Sequence, residues 1–151
     1  MRISTFTDYS LRVLIYLAVT DSPRVTRHEI ASAYGISNNH LMKVINFLAH
    51  YGYVETVRGK GGGMCLARPP QKINIGQLIY DCEADIPLVE CFLSTSKNKN
   101  KCALAKHCML KHCLEDGLSA MYSKLKKYTL ADAIIARSKI RRQLSMKPKA
   151  A

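Results

Sequence analysis

Thr26-Arg-His-Glu-Ile-Ala-Ser-Ala-Tyr-Gly35-Ile-Ser-Asn-Asn-His40-Leu-Met-Lys-Val-Ile-Asn-Phe-Leu48 is the stretch that decides the fold. Thr26 and Glu29 form a capping box, in which the hydroxyl satisfies the third helical amide and the carboxylate reaches back to the cap. The helix it opens is short. Ile30, Ala31, Ala33 and Tyr34 supply its packing side, and Gly35 supplies the left-handed stop. Ile36 then fills the gap and Ser37 caps a longer helix, whose inner face is Leu41, Val44, Ile45 and Leu48 at helical spacing. A short helix, a glycine turn and a longer helix make a helix-turn-helix. The outer residues sharpen that reading. Ser37, Asn38, Asn39, His40 and Lys43 offer hydrogen bonds and positive charge at the start of the longer helix. An asparagine can pair bidentately with adenine, and a helix N-terminus favours phosphate.

Reading outward, Thr7 precedes an amphipathic first helix with apolar residues at Leu11, Leu14, Ile15 and Ala18. On the other side, residues 53–58 and 64–67 alternate as two short strands around Gly59-Lys-Gly-Gly-Gly63. Strands joined by a basic glycine-rich tip form a wing. Arg58 and Lys60 can reach phosphate or the minor groove, and Gly59 and Gly61 allow close backbone approach. A nucleotide-binding phosphate loop is the rival, but the run lacks a GK[ST] ending and opens no helix. Cys65 is expected to be a packed small side chain.

Asn74 caps a helix through Ile75, Leu78, Ile79 and Cys82, and Asp81, Glu83 and Asp85 read as its solvated acidic end. Residues 92–101 are poor in apolar side chains and rich in lysine, serine and asparagine, which predicts a mobile surface loop. Leu110, Leu114, Leu118, Met121, Leu125 and Tyr128 recur at helical spacing, so one long helix is expected, starting at Ala103 or Met109 and ending at Lys127. Such a helix appended to a small winged domain pairs with its twin. Thr129-Leu-Ala-Asp132 opens a last helix in the manner of a capping box.

The 151 residues carry a net charge of +12, distributed as +4 over residues 1–68, −3 over 69–96 and +11 over 97–151. The excess points to a polyanionic partner, nucleic acid before an anionic membrane surface. No apolar run is long enough to span a membrane, and no signal-peptide pattern opens the chain, so a cytoplasmic protein with reduced thiols is expected. Four of the six cysteines fall as Cys91-x10-Cys102-x5-Cys108-x4-Cys113. Thiolates suit iron–sulfur clusters and zinc alike, and only Cys108-x4-Cys113 has a zinc-knuckle spacing, with His107 and His112 beside it. Idle thiols are the plain alternative. No Ser/His/Asp or Cys/His arrangement carries a catalytic motif, so no enzyme is expected.

Phe6-Thr-Asp-Tyr-Ser-Leu-Arg12, Tyr34-Gly-Ile-Ser-Asn-Asn-His-Leu-Met-Lys-Val-Ile-Asn46 and Val57-Arg-Gly-Lys-Gly-Gly-Gly63 resemble the winged-helix iron–sulfur transcriptional regulators of bacteria. Leu88-Val-Glu-Cys91 and Tyr128-Thr-Leu-Ala-Asp132 are most similar to the nitric-oxide-sensing branch. The resemblance covers about residues 1–135. It implies a cluster held by three cysteines, onto which Cys91, Cys102 and Cys108 map; the long first gap is an insertion and Cys113 falls outside the pattern. The cluster-assembly branch has a histidine where this chain has Lys111. The nitric-oxide branch implies an aspartate near the start of the first helix, donated by the partner subunit, and Asp8 matches it. Arg12, one turn on, is then the residue that holds Asp8 when the cluster is absent.

The expected fold is therefore mainly α with a small β wing: a winged helix-turn-helix over residues 1–70, a connecting helix and cluster-binding loop over 71–109, a dimerisation helix and terminal helix over 110–140, and a basic disordered tail over 141–151. The expected function is a homodimeric repressor that carries an iron–sulfur cluster, [4Fe–4S] before [2Fe–2S], and releases operator DNA when nitric oxide nitrosylates the cluster. A sensor of iron, oxygen or redox state on the same scaffold is the second reading. A metal-binding interaction protein without a DNA role is the third.

Overall fold

A computed structural model of the chain describes residues 3–59, 61–84, 86–89, 92, 102 and 107–146. Seven α-helices, one 3-10 turn and a two-stranded sheet are present among them: α1 (Thr5–Val19), α2 (Arg27–Tyr34), α3 (Asn38–His50), β1 (Val54–Val57), β2 (Gly63–Leu66), a turn at Pro70–Lys72, α4 (Ile75–Glu83), α5 (Met109–Leu125), α6 (Leu130–Ala133) and α7 (Arg137–Gln143). No helix among the described residues is long and apolar enough to cross a membrane.

The helix-turn-helix forms as its local signals dictate. The Thr26 hydroxyl accepts from the Glu29 amide while Glu29 accepts the Thr26 amide at 2.6 Å. Gly35 turns at φ 63°, and Ser37 caps α3 through the His40 amide at 3.3 Å. Leu41, Val44, Ile45 and Leu48 are all buried. β1 and β2 pair antiparallel from Val54↔Leu66 to Val57↔Gly63. A third segment, absent from the sequence reading, joins them: Val25 and Met64 exchange two backbone hydrogen bonds of 2.9 and 2.8 Å. That close approach explains Gly63, where a Cβ would lie 2.8 Å from the Val25 carbonyl oxygen.

The first helix differs from its sequence reading in start and in face. Ser4, not Thr7, is its N-cap, and its buried residues are Thr7, Ser10, Val13, Leu14, Tyr16, Leu17 and Val19. Of the expected stripe only Leu14 is fully buried; Leu11, Ile15 and Ala18 are half-covered. The reason is position, since α1 packs against α3, β2, α4, α6 and α7 and so is enclosed on more than one side. One hydrophobic core joins both halves of the chain, with Ile73, Leu78 and Leu130 packed in with Val13, Leu14, Ile30 and Leu41.

α4 and α5 run antiparallel. Gly76 abuts Lys126, Tyr80 meets Tyr122 edge-on at 5.4 Å, and Glu83 shares a groove with Leu118. Asn74 donates to the Lys126 carbonyl at 2.6 Å, and the Ile75 amide to Tyr128 O at 3.0 Å. Given that register, about the first ten residues of α5 extend beyond the end of α4, roughly 15 Å of helix. The last helix, α7, runs past residue 140 into the stretch read as a tail. Arg137 donates to the carbonyls of Val19 and Thr20 and to Asp21, and Arg141 donates to Val19 O at 3.1 Å and pairs with Asp21. These guanidinium groups satisfy the exposed carbonyl end of α1, a position where cations also oppose the helix dipole.

Candidate functional site

Asn38, Asn39, His40 and Lys43 are all exposed along the outer side of α3. The Ser37 hydroxyl is engaged as the cap. The structure adds residues that the sequence reading passed over. Met42 and Asn46 follow Asn38 at four-residue steps, so the three form one row on the helix surface. That row borders a cleft shared with Arg27 and His28 at the start of α2 and with Thr56 on β1. The four-residue spacing was the available signal for Met42 and Asn46. Arg27 and His28 are found by another, being the first residues after the Thr26 cap. Arg27 Nε donates to Asn38 Oδ1 at 3.2 Å, linking the N-termini of α2 and α3.

The wing stands beside this row. Arg58, Gly59 and Gly61 are exposed, and Lys60 lies outside the described residues. Gly59 and Gly61 turn at φ 96° and 78°. Gly62 has no room for a Cβ, which would fall 2.3 Å from the Val57 carbonyl oxygen. The glycines are thus required by the wing's own turn, closed by Gly62 N to Gly59 O at 2.9 Å.

Asp8 lies in the first turn of α1 with its side chain 46% exposed. Arg12 Nε donates to both of its carboxylate oxygens, at 3.1 and 3.0 Å. The hydrogen bond to Asp8 holds the guanidinium in its charged form and raises its pKa. The same guanidinium lies 5.7 Å over the Tyr34 ring, next to the Gly35 turn. Burial pushes the Tyr34 phenol up to about 12. Asp8, Arg12 and Tyr34 therefore form a continuous line from α1 to the hinge of the helix-turn-helix.

The end of α4 is not the solvated acidic terminus that composition suggests. Glu83 Oε1 accepts the Ser4 amide at 2.9 Å, the Ser4 hydroxyl at 2.8 Å and the Thr7 hydroxyl. Burial raises the Glu83 pKa, but the bonds from Thr7 and Ser4 outweigh it and hold the carboxyl below its ordinary range. Asp81 accepts from the Tyr53 hydroxyl at 2.6 Å and from Gln77 at 2.7 Å. Asp85 lies outside the described residues. The last turn of α4 thus grips α1 through Glu83 and the base of the wing through Tyr53.

The cysteines are distributed as follows. Cys91 lies outside the described residues, as do most residues of the 92–101 stretch. Cys102 and Cys113 are exposed, Cys108 and Cys65 half-buried and Cys82 buried. Cys108 occupies the N-cap position of α5 without capping it, so its thiol is not spent on the helix. Among the described residues, no three His, Cys, Asp or Glu side chains lie close enough together to hold a metal ion. The donor chemistry of Cys102 and Cys108 fits iron, being soft thiolate, and the exposed Asp8 carboxylate is reachable from outside the chain. Within one chain these groups are separated. Cys108 heads the α5 overhang roughly 15 Å along the helix from the level of Glu83, whereas Asp8 follows directly on Thr7, which Glu83 holds.

The model of the Rrf2 family, described as an iron-dependent transcriptional regulator, matches residues 3–136. The chain belongs to the Rrf2 family. Two Rrf2-type relatives, both named HTH-type transcriptional regulator NsrR, come from Bacillus licheniformis and Bacillus subtilis. They are 49% and 46% identical, over 96% and 97% of this chain and 100% and 99% of their own. Among solved structures, CymR (YrzC), described as the global cysteine regulator of B. subtilis, matches with TM-score 0.64 and 26% identity over 88% of this chain and 95% of its own. T. potens IscR matches with TM-score 0.69 and 23% identity over 99% and 94%, a likeness of fold. The chain is a transcriptional regulator of this family and not an enzyme.

Proposed function

We propose that this Rrf2 protein is a homodimeric, DNA-binding repressor that holds an iron–sulfur cluster and leaves its operator when nitric oxide reaches that cluster. The observation that carries the reading is the exposed row at the start of α3, beside a glycine-closed wing with Arg58 at its edge. The α3 row enters the major groove, and Arg58 with Lys60 reaches the flanking phosphates or the minor groove. Cys91, Cys102 and Cys108 hold the cluster, and Asp8 of the partner subunit completes it. The separation of Cys108 from Asp8 within one chain supports donation from the partner. So does α5, in which none of 17 residues is buried in the single chain. The cluster would supply iron that reacts with nitric oxide; three thiolates and a carboxylate complete the four ligands that either a [4Fe–4S] or a [2Fe–2S] cluster takes, and [4Fe–4S] is the form we favour.

The protein's part is to connect Asp8 to the DNA-binding face. If a cluster were bound, Asp8 would be the carboxylate that ligates it, and Arg12 would be left with Tyr34 as its remaining neighbour. Loss of the cluster would leave Asp8 free to form the pair seen here with Arg12, which would change the charge facing Tyr34 at the Gly35 hinge. Operator affinity and cluster ligation are thereby linked in both directions.

Anaerobic titration with nitric oxide, read by absorption and by mobility shift on the gene's own upstream region, tests the reading. The wild type is expected to lose its cluster absorption and its DNA together. Asp8→Ala is expected to bind a spectrally altered cluster and to lose the coupling. An Asp8→Ala protein with unchanged spectrum, nitric-oxide response and affinity would sink the scheme. Release by oxygen or peroxide at lower doses than nitric oxide would favour a redox sensor on the same scaffold.

A further inference from the structure

We infer that Arg27 is a positioning residue for base readout: by taking the carbonyl of Asn38, it makes Asn38 present its amide N–H groups outward and biases the facing base to guanine over adenine. This inference rests on the DNA-binding reading above and specifies the same surface. Bidentate recognition of adenine by asparagine needs both ends of the side-chain amide. The carbonyl must accept from the adenine N6 amino group while the NH2 donates to N7. In this chain Asn38 Oδ1 accepts from Arg27 Nε at 3.2 Å. That bond also decides which way the amide points, because an Nε–H donor cannot face an NH2 group. The charge on the guanidinium strengthens the bond over a neutral pair. Asn38 is left with Nδ2 as the group turned away from Arg27.

The end of the cleft where α2 and α3 begin has the same polarity, with Met42, Asn46 and Thr56 lying further along it. Arg27 uses one of its five N–H donors on Asn38, and the other four belong to its terminal nitrogens. Both residues are exposed, and each is the first residue of its helix, where backbone amides also point outward. Two helix N-termini, an arginine fork and an outward amide make a surface of donors. Guanine offers two acceptors in the major groove, O6 and N7, whereas adenine offers one acceptor and one donor. The adenine amino group, itself a donor, would meet donors here, whereas guanine O6 and N7 would both be satisfied.

The test uses the full-length protein, purified anaerobically, on a duplex library randomised over about two helical turns. Bound sequences are counted for wild type, Arg27→Ala, Arg27→Lys and Asn38→Ala, with circular dichroism to verify folding. Both positions are exposed, and the Thr26–Glu29 and Ser37 caps are untouched. The wild type is expected to select guanine at one symmetric pair of positions by roughly tenfold over adenine. Arg27→Ala frees the amide and is expected to move that pair, and no other, towards adenine. Arg27→Lys, which keeps the charge but loses the planar fork, should shift the same way. Asn38→Ala should flatten the preference at that pair.

If Arg27→Ala weakens binding equally on every sequence and leaves all preferences unchanged, Arg27 is a phosphate contact and the inference is wrong. If Asn38→Ala alters no position, it is wrong as well. Wild-type protein that selects no sequence and shows no salt-dependent binding would overturn the DNA-binding reading itself and this inference with it.

Discussion

Single atoms decide several features of this molecule. A Cβ at Gly76 would lie 2.4 Å from the Lys126 amide nitrogen, where α4 meets the end of α5. Backbone on the far side cannot move aside cheaply, so Gly76→Ala is expected to destabilise the protein by about 1–3 kcal/mol in urea unfolding. The better helix propensity of alanine offsets only part of that. Glu83 makes a different prediction. Its folded-state pKa lies below the ordinary value of 4.5, so its contribution is complete above that value and is lost as pH falls below it. Glu83→Gln should therefore melt a few degrees below wild type at pH 7, and the gap should close in melts taken below pH 4.5. A gap constant with pH would mean that the carboxylate charge does not matter there. At this scale the sequence is informative where the partner is near. Thr26 finds Glu29 three residues away, and Asn74 caps the Gln77 amide. It is silent for Glu83, whose partners Ser4 and Thr7 lie 79 and 76 residues distant. A carboxylate at a helix end has no local sign saying whether water or hydroxyls will receive it.

Elements show the same division. Periodicity was enough for α3, because one side faces a core and the other faces solvent. It misread α1, since a helix surrounded by five elements has no single apolar stripe to display. The short α7 carries almost no apolar signal and is held by the two arginines that meet the end of α1. For α5 the pattern gave a helix with two uses. Leu118, Met121 and Tyr122 face α4. Leu110, Cys113, Gly117 and Ala120 are exposed on another side, and a Cβ at Gly117 would meet nothing within 4 Å. Small residues there let a second helix approach closely, the arrangement expected of a two-fold pair. Gly117→Glu should convert the dimer into monomers in sedimentation velocity while helix content stays the same. An unchanged dimer would move the interface to another face.

Across the whole molecule the charge is the broadest signal. The net +12 is concentrated after residue 97, while the α3 row and the wing carry only a few cations. Binding should therefore combine a specific patch with a diffuse electrostatic term. Arg58→Ala is expected to weaken binding about equally on all duplexes and to reduce the slope of log affinity against log salt by about one. A changed base preference instead would place Arg58 on a base edge. The candidate site was legible as a list of residues and not as an assembly. Asn38, Asn39, His40 and Lys43 are all exposed, but Asn38 borders the cleft with α2 and β1 while His40 and Lys43 lie on the side towards Tyr9 of α1. Asp8 and Cys108 do not share a site within one chain, and no sequence pattern could show that the α5 overhang separates them. Arg27 escaped because its importance depends on the angle between two helices and not on its neighbours in sequence.

The clamp of Arg137 and Arg141 on the end of α1 bears on how the protein is made. Helix α1 buries Thr7 and Ser10 and has its far end covered by residues about 120 positions further along the chain. Leu130 and Leu78, fully buried in the same core, also lie further along it. A chain that lacks residues 137–143 contains the whole helix-turn-helix but leaves the carbonyl end of α1 without its guanidinium partners. Shortened chains without this helix are therefore expected to compete poorly for DNA with the full-length regulator.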